Sequence, residues 1–474
     1  MIFPDPIPAS IYIQAKAFYE QQLNPCAILD FLRRATPNIH ARNSGEPIAT
    51  SNDAKERLKQ IVKAVVNLNN SYLVIQGPPG AGKTYTAMHV IAELLKLDKR
   101  IGICSNSHKA INNLLINTAQ YCKENKIKGL FICTNDTDPR LEKLKVKILE
   151  NNKLSSEIHQ GCVVGTTAWG FAREDLANSV DYLFIDEAGQ VSVANLIAIS
   201  RSAKNMVLMG DQMQLAQPLQ GSHPGESGSS VLDYLLHGTP TIPEELGVFL
   251  GTTYRMHSAI NHFISSAIYD NKLKSDLYND KQSIKIGNGY NGVLNKEAGI
   301  IFIPVEHESN TQASAEEVDL IKKLVNELLG RTFTNKKGEQ KPITLEDILF
   351  LAPYNHQVNK LQKSLGGNAK VGSVDKFQGQ EAPIVFLSMC ASDASESPRG
   401  INFLFDKHRL NVAVSRAQCL VIVVANPNLS KITASSVGQI SLVNIFCHLI
   451  QCKHTKTSRL DNATKLRFLN HSSK

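Results

Sequence analysis

Short apolar runs alternate with amphipathic segments through the first half of the chain, and the runs tend to end in small or polar residues. A short apolar run bounded in this way is typical of a buried strand, whereas apolar positions three and four residues apart predict a helix. Strands are predicted at residues 72–75, 100–104, 162–167, 182–185 and 205–209. A helix over about 84–96 follows the first of them. The alternation predicts a parallel sheet with helices on both faces.

The same alternation returns in the second half of the chain. Its predicted strands are residues 299–303, 348–352, 370–374, 384–389 and 419–424. A stretch rich in glycine, serine and proline, residues 218–230, and two further prolines at 240 and 243 separate the two halves. We therefore predict an α/β protein with two tandem domains of the parallel-sheet class, residues 46–246 and 247–450.

Three other segments surround or interrupt these domains. Residues 1–45 are predicted to form a helical lead-in, over 11–32, followed by an irregular stretch. The charged segment at about 120–160 is predicted to be an insertion that forms a solvated helical hairpin. Residues 451–474 form a polar, basic tail that we expect to be disordered.

Composition narrows the class of protein without naming its chemistry. A length of 474 residues exceeds one ordinary core, and 42% hydrophobic with 20% charged residues is typical of a soluble globular protein. The net charge of +8 permits a polyanionic partner such as nucleic acid. No apolar run approaches the roughly 18 residues of a membrane span. Nine scattered cysteines without a C-x-x-C pair argue against a disulfide framework, so we expect a cytoplasmic protein without a membrane partner.

The first predicted strand leads into a G-x-x-x-x-G-K-T motif, the spacing of a phosphate-binding loop. Glycines allow successive backbone N–H groups to face phosphate oxygens, and the following helix points its positive end at the same anion. We expect the lysine to reach the β and γ phosphates and the threonine hydroxyl to bind Mg²⁺. The predicted phosphate-binding residues are Gly77, Pro78, Pro79, Gly80, Ala81, Gly82, Lys83 and Thr84.

Polar residues at the ends of two later strands provide the remaining catalytic candidates of the first half. Asp186 and Glu187 follow the strand at 182–185, and parallel strands place their carboxyl ends at the ligand edge of a sheet. We expect Asp186 to hold Mg²⁺ and Glu187 to orient or deprotonate the attacking water. Gln214 follows the strand at 205–209 and is predicted to sense the γ-phosphate.

The second half contains no second phosphate-binding motif, so its functional residues are expected to face the first domain. Two arginines, Arg255 and Arg416, are the candidates. Guanidinium groups delivered from a second domain can stabilise charge on a transferring phosphoryl group. The alternative for either arginine is an ordinary surface salt bridge.

Nine segments of the chain resemble, in order, the motifs of superfamily 1 helicases of the group that includes the nonsense-mediated-decay helicase. They are GPPGAGKT (77–84), SNSHKAINNLL (105–115), GTTAWG (165–170), DEAGQ (186–190), GDQMQL (210–215), TTYRMH (252–257), APYNHQ (352–357), SVDKFQGQEAPIVF (373–386) and NVAVSRA (411–417). The residues around them, such as NSYLVIQGPPG (70–80) and QGSHP (220–224), are similar to the helicase half of bacterial proteins that fuse a RecB-like nuclease to a helicase.

This resemblance implies two RecA-like domains with an ATP site in the cleft between them, and Mg²⁺ as the metal. It implies that Tyr254 stacks on the adenine, and that Gln380 and Glu381 couple the ribose and phosphates to the nucleic-acid track. The residues that it implies as contacts of the single strand are Asn106, His108, Thr166, Tyr354 and Lys376. Prolines common in the family are replaced here by Gln212 and Ala216, which should alter loop shape more than chemistry.

The predicted function is ATP-dependent movement along single-stranded nucleic acid, with DNA favoured over RNA and a 5′ to 3′ direction implied by the resemblance. No nuclease motif is found, so nuclease activity is not predicted, and a separate nuclease or another protein is a candidate partner. One alternative is an ATP-gated clamp that grips nucleic acid or a protein without unwinding. A small-molecule phosphotransferase built on the same loop is the other alternative.

Overall fold

The computed structural model describes residues 5–22, 24–135, 138–215, 221–377, 379–393 and 398–451. An eight-stranded parallel sheet organises the first half of the chain. Its strands are β1 (Tyr72–Gln76), β2 (Ile101–Cys104), β3 (Leu130–Cys133), β4 (Lys147–Ile148), β5 (Cys162–Gly165), β6 (Val180–Ile185), β7 (Ala203–Gly210) and β8 (Gly247–Phe249). They lie in the order β4-β3-β5-β2-β6-β7-β1-β8. The catalytic candidates therefore share the edge formed by the carboxyl ends of β6, β7 and β1.

Helices cover both faces of this sheet, as a parallel sheet requires. They are α1 (Pro6–Tyr19), α2 (Ala27–Leu32), α3 (Ala54–Val66), α4 (Lys83–Lys96), α5 (His108–Glu124), α6 (Arg140–Lys143), α7 (Ala168–Phe171), α8 (Val193–Ser200) and α9 (Val231–Leu236). Alternate residues of β1 point to opposite faces: Leu73 and Ile75 enter the core under α3, α4 and α5, whereas Tyr72 and Val74 enter the core under α2, α8 and α9.

Two regions of the first half differ from expectation. The lead-in forms two helices, and α1 packs on α8, where the Ser10 hydroxyl donates to the Ala198 carbonyl over 2.6 Å. The predicted helical hairpin at 120–160 is wrong, because β3 and β4 lie in this segment and extend the parallel sheet beyond β5. The apolar part of β3 is only four residues long and follows a lysine-rich stretch, so its strand pattern is weak.

The second half is built on a smaller parallel sheet. The remaining strands are β9 (Thr252–Thr253), β10 (Lys274–Ser275), β11 (Ser283–Ile284), β12 (Gly299–Pro304), β13 (Thr332–Thr334), β14 (Gln340–Pro342), β15 (Ile348–Leu351), β16 (Lys370–Gly372), β17 (Ala382–Ser388) and β18 (Ala417–Ala425). Five of them form the sheet β12-β18-β17-β15-β16, and β9 with β10 and β11 with β13 and β14 form two small sheets. The predicted α/β fold with two parallel sheets is confirmed.

The helices of the second half also cover both faces of its sheet. They are α10 (Ser258–Ile268), α11 (Ala315–Leu328), α12 (Asn355–Leu365), α13 (Gly400–Leu404), α14 (Lys407–Ser415) and α15 (Val437–Gln451). Short 3₁₀ helices occur at Asn151–Lys153, Glu174–Leu176, Leu277–Lys281, Leu345–Asp347, Asp375–Phe377 and Pro427–Ser430. Within the described ranges, no helix is both long and apolar enough to cross a membrane.

The two halves meet through shared packing. Met213 and Leu215, which follow β7 in the first half, belong to the core formed by α10, α13, α14 and α15. The residue proposed as the domain boundary, Gly247, begins β8, which pairs with β1 at the edge of the large sheet. The chain therefore leaves the first sheet after Phe249. Residues 452–474, which include nearly all of the basic tail, lie outside the described residues.

Candidate functional site

The loop between β1 and α4 has the geometry of an anion-binding turn. Gly82, the residue that caps α4, has a φ of +84°, and Gly80 has a φ of +74°, a region that favours glycine. Lys83 folds back over the loop and its Nζ donates to the Gly77 carbonyl over 2.7 Å. A Cβ at Gly77 would lie 2.3 Å from the Cγ of Lys83, so only glycine allows this lysine position.

A segment of the second half holds the other side of this loop. The backbone N–H of Tyr254 donates to the Gly80 carbonyl over 2.9 Å, and the Thr253 hydroxyl donates to the Pro79 carbonyl over 3.0 Å. A Cβ at Gly80 would lie 2.6 Å from the Cβ of Arg255. The phosphate-binding loop is therefore in contact with the segment that carries one of the two predicted arginines.

A cavity of about 500 Å³ opens beside the loop. Its walls come from the loop itself, from α3 and from the segment after β8, and they include Leu58, Ile61, Ala81, Tyr85 and Tyr254. Tyr254 is 40% exposed, so its ring is accessible from this cavity. Apolar walls with an accessible aromatic ring suit a planar base.

Asp186 and Glu187 emerge at the carboxyl end of β6. The Asp186 N–H donates to the Cys104 carbonyl over 2.8 Å, and its carboxylate accepts the Glu187 N–H over 3.0 Å. Burial and the neighbouring Glu187 carboxylate raise the pKa of Asp186 to about 7, against the opposing effect of the Lys83 ammonium. The positive charge near the Asp186 carboxylate is therefore too small to offset the effects of burial and of Glu187.

The ends of β6 and β7 approach each other closely enough to require glycine. A Cβ at Gly189 would lie 2.6 Å from the Asp211 carbonyl, and a Cβ at Gly210 would lie 2.7 Å from the Ala188 nitrogen. This approach brings the acidic segment beside the segment that carries Gln214. The Gln212 side chain donates to the Pro240 carbonyl over 2.9 Å, so the residue that replaces a family proline is bonded to the chain before β8. Ala216 lies outside the described residues.

Gln214 is buried and belongs to a network that the sequence did not predict. Its amide nitrogen lies 3.2 Å from Oδ2 of Asp211, and the same oxygen accepts the Tyr269 hydroxyl over 2.6 Å. Asn411 donates from Nδ2 to the Tyr269 hydroxyl over 2.9 Å and to the Met213 carbonyl over 2.7 Å. Three of these residues belong to the first half and two to the second, so the network crosses the cleft.

Arg416 lies directly after α14 and is 2% exposed. Its Nε donates to the Val412 carbonyl and its Nη1 to the Gln380 carbonyl, each over 3.2 Å, whereas its buried Nη2 has no hydrogen-bond partner among the described residues. Burial and the positive charge of Arg255 lower the pKa of Arg416 to about 9, and Glu187 acts in the opposite direction. A buried cation with a free donor is a site for an anion.

Arg255 is bonded within the second half. Its Nε donates to the Glu381 carboxylate and its Nη1 to the Ser415 carbonyl over 3.1 Å. Glu381 also accepts the Gln418 amide over 2.8 Å. Burial alone would raise the pKa of Glu381, but the charge of Arg255 and these hydrogen bonds lower it. Arg255 thus forms an ion pair, the alternative role considered for it. Its partner Glu381 is adjacent to Gln380, whose carbonyl accepts from Arg416.

Three of the predicted nucleic-acid contacts follow β2 and β5, which are neighbours in the large sheet. Asn106 donates to the Gln190 carbonyl over 2.7 Å, and His108 begins α5. Thr166 is buried and its hydroxyl donates to Asn151 over 2.8 Å, so it supports this edge from below the surface. Trp169, which was not predicted, is 54% exposed in α7 on the same edge. In the sequence, Trp169 could have been recognised as the single tryptophan of the chain, which lies shortly after two threonines.

The other two predicted contacts lie in the second half. Tyr354 caps α12, is buried and packs against Phe403 with ring centroids 5.3 Å apart. Lys376 is exposed and its Nζ donates to the Val371 carbonyl over 3.0 Å. Arg399 and Arg409 lie 4.6 Å and 4.5 Å from the centre of the Phe403 ring. Cations and aromatic rings are therefore close together at this edge, a combination that suits single-stranded nucleic acid.

The residues present fit a magnesium nucleotide. The Thr84 hydroxyl and the Asp186 carboxylate are the oxygen ligands that Mg²⁺ prefers. The unpartnered Nη2 of Arg416 fits a phosphate oxygen delivered into the cleft.

Comparison with known proteins gives matches over both halves. A family model described as an AAA domain matches residues 60–219, and a second AAA domain model matches residues 229–428. A crystal structure of an arterivirus helicase, nonstructural protein 10, is 14% identical and covers 74% of this chain and 59% of that chain, with a TM-score of 0.40.

Several curated proteins are related to the chain. The DNA replication ATP-dependent helicase/nuclease JHS1 of Arabidopsis thaliana is 24% identical over 79% of this chain and 28% of that protein. The DNA polymerase alpha-associated DNA helicase A of Saccharomyces cerevisiae is 25% identical over 84% of this chain and 69% of that protein. A regulator of nonsense transcripts 1 homolog of Neurospora crassa is 26% identical over 76% of this chain and 36% of that protein.

The chain spans well under half the length of two of these three relatives. The matches nevertheless cover both of its sheets. Together they support the assignment of the chain to the superfamily 1 helicases, a family of ATP-dependent enzymes.

Proposed function

We propose that this protein couples ATP hydrolysis to movement along single-stranded nucleic acid. The observation that carries the proposal is Arg416, a buried guanidinium from the second half whose Nη2 donor has no acceptor within the described residues. Its pKa responds to Glu187 of the first half, so the two groups lie near each other across the cleft. A phosphate between them would satisfy the arginine only when both domains contact the same nucleotide.

In this proposal each predicted residue has one role. The loop residues 77–82 and Lys83 hold the phosphates, and Thr84 with Asp186 holds Mg²⁺, which neutralises phosphate charge when it is bound. Glu187 accepts a proton from the attacking water, and Gln214 orients that water or the γ-phosphate. Arg416 stabilises the charge that develops on the transferring group. Arg255 joins it after leaving Glu381 and the Ser415 carbonyl.

The segment from Lys376 to Glu381 is proposed to connect hydrolysis with nucleic-acid contact. The Gln380 carbonyl accepts from Arg416 and the Glu381 carboxylate accepts from Arg255. Lys376, at the other end of the segment, is exposed at the edge of the second sheet. A shift of a bound strand at Lys376 would therefore be transmitted to both arginines through a few residues.

The single strand is proposed to cross the carboxyl edges of both sheets. In the first half it would contact Asn106, His108 and the exposed ring of Trp169, with Thr166 beneath. In the second half it would contact Lys376, with Tyr354 supporting the aromatic and cationic surface. Backbone phosphates and stacked bases are the features that such a surface binds.

The finer assignments rest on resemblance. We propose DNA as the preferred strand, a 5′ to 3′ direction, a cytoplasmic location and a separate nuclease as partner. Two of the relatives above are named as DNA helicases, and one of these is named as a helicase/nuclease. The likeness to the helicase half of bacterial RecB-like nuclease fusions supports the same partner.

Strand displacement tests the proposal directly. Partial duplexes of DNA and of RNA with either a 5′ or a 3′ overhang are incubated with the protein and ATP, with Glu187→Gln as the matched inactive control. Displacement from the 5′-overhang DNA is the expected result. Polymer-stimulated ATP hydrolysis without any displacement would identify an ATP-gated clamp instead.

A further inference from the structure

Tyr269, the residue that ends α10, has a buried hydroxyl at the centre of the network that crosses the cleft. The side chain is fully buried. Its hydroxyl donates to Oδ2 of Asp211 over 2.6 Å and accepts the Asn411 amide over 2.9 Å. One phenol therefore joins a residue that follows β7 of the first sheet to a residue inside α14 of the second half.

On the first-half side, the hydroxyl acts on the segment that carries Gln214. Asp211 accepts three hydrogen bonds, from the Met213 N–H over 3.2 Å, from the Gln214 amide over 3.2 Å and from Tyr269. Burial raises the pKa of Asp211, while the Lys83 ammonium and these three donors act in the opposite direction. Because Gln214 and Tyr269 share the same oxygen, the position of the phenol and the position of the predicted γ-phosphate sensor depend on each other.

On the second-half side, the hydroxyl acts on the helix that carries Arg416. Asn411 lies in α14, and Arg416 caps the end of that helix. The Nδ2 of Asn411 donates both to Tyr269 and to the Met213 carbonyl, so α14 is tied to the Gln214 segment directly and through the phenol. Any change in the spacing of these two segments must break or stretch these bonds.

We propose that Tyr269 is a positioning residue that fixes the spacing between Gln214 and Arg416, so that both reach the γ-phosphate in one closed arrangement. The inference rests on the proposed hydrolysis of ATP in this cleft. It adds a residue outside the nine motif segments, at the C-terminal cap of α10, whose contribution is made through a hydroxyl bonded to Asp211 and Asn411.

The hydrogen bonds of the Tyr269 hydroxyl are expected to persist over the working pH range. Burial and the Asp211 carboxylate raise the pKa of Tyr269 well above its usual value, so the phenol stays a donor over the range in which the protein would work. The burial of the network also means that water does not compete for the three bonds. Removing the hydroxyl alone would leave the ring in the core of the second half and would loosen only the spacing between Gln214 and Arg416.

The test compares two tyrosines that differ in what their hydroxyls join. Tyr269→Phe removes the bond from the hydroxyl to Asp211 across the cleft and the bond from Asn411 to the hydroxyl, and it leaves the Asn411–Met213 bond in place. Tyr72→Phe is the control, because Tyr72 is equally buried and its hydroxyl donates to the Ala35 carbonyl over 2.8 Å within the first half. ATP hydrolysis is measured with saturating single-stranded DNA, and thermal unfolding is measured for both variants.

Tyr269→Phe should lower kcat about tenfold or more while the KM for ATP changes less than about threefold. Tyr72→Phe should lose similar thermal stability and keep its kcat. Asn411→Ala removes the other direct bond across the cleft, to the Met213 carbonyl, together with the bond to Tyr269, and it should reproduce the split between kcat and KM. A kcat for Tyr269→Phe no lower than that of Tyr72→Phe would overturn the proposal.

A double-mutant cycle with Arg416→Lys, which keeps a positive charge, tests whether the hydroxyl acts through the arginine. The loss of kcat caused by Tyr269→Phe should shrink in that background, and an additive loss would contradict the positioning role. A wild-type protein that does not hydrolyse ATP would instead overturn the proposed function, so the two failures are distinguishable.

Discussion

The two ends of β6 carry aspartates in opposite electrostatic situations. At the amino end, Asp181 accepts hydrogen bonds from Arg100, with an Nη2–Oδ1 distance of 3.0 Å, and lies 3.4 Å from the Nζ of Lys204. Burial alone would raise the pKa of Asp181, but the bonds from Arg100 lower it to about 2. At the carboxyl end, burial raises the pKa of Asp186 to about 7.

The arginines repeat this contrast. Arg100 is paired with a carboxylate, and the bonds from Asp181 raise its pKa. Arg416 is buried, its Nη2 has no partner within the described part of the chain, and burial lowers its pKa to about 9. Arg100 and Asp181 at the amino edge of the sheet satisfy each other, whereas Asp186 and Arg416 at the cleft have no such pairing within the described residues. Incomplete charges of both signs in one cleft are what a magnesium nucleotide would complete.

The largest expected effect is the loss of Arg416. Arg416→Ala should lower polymer-stimulated turnover by about 10³-fold, because a guanidinium on the transferring phosphoryl group contributes about that much. The KM for ATP should change far less. Arg100→Ala is the control, since it removes a paired arginine far from the cleft and should lower stability with turnover retained. Equal loss of turnover in Arg416→Ala and Arg100→Ala would contradict the special role of the arginine at the cleft.

The next effect concerns the proton acceptor. Glu187→Gln should bind ATP with unchanged affinity and lower turnover by about 10²–10⁴-fold, the usual contribution of a general base. Glu187 has a φ of +55°, so the isosteric glutamine is chosen to keep the backbone undisturbed. Calorimetry measures the ATP affinity of this variant, and hydrolysis under saturating ATP measures its turnover. Normal hydrolysis by this variant would refute the assigned role.

A smaller effect distinguishes the two aspartates by stability. Asp181→Asn should lower the free energy of unfolding by about 1 kcal/mol at pH 7, because the bonds from Arg100 lower the pKa of Asp181 to about 2 and solvent screens part of this interaction. Because the folded pKa is lowered, this contribution is present above about pH 4 and disappears as the pH falls towards 2. Asp186→Asn should not lower stability, because the ionised form is disfavoured in the fold, yet it should abolish turnover.

Urea unfolding of both variants at pH 7, with wild type beside them, measures this difference. The gap between wild type and Asp181→Asn should narrow when the same measurement is repeated at successively lower pH below 4. A destabilised but active Asp186→Asn protein would show that Asp186 is a structural acid like Asp181.

The parts of the fold and site that the sequence predicts are those whose chemistry is local. The phosphate-binding loop, the paired acids and the strands on either side of them each occupy a few consecutive residues, so spacing and periodicity are enough to find them. Strand β3 was not predicted because four apolar residues after a lysine-rich stretch give almost no periodic signal.

The rest of the site depends on long-range packing. Tyr269 meets Asp211 across 58 residues and Asn411 across 142, and no local pattern marks these partners. The burial of Thr166 and the pairing of Arg255 with Glu381 likewise arise only when distant strands and helices come together. Residues on α3 line the cavity beside the loop because that helix packs on α4, which its own amphipathic pattern does not reveal.

The most direct test of the account is the rate of ATP hydrolysis by the wild-type protein with no polymer, with single-stranded DNA and with single-stranded RNA. The salt concentration is held fixed, because contacts to phosphates weaken as salt rises. We expect strong stimulation by a single-stranded polymer, with DNA the better of the two. An ATPase rate that neither polymer changes would rule out coupling of hydrolysis to single-stranded nucleic acid.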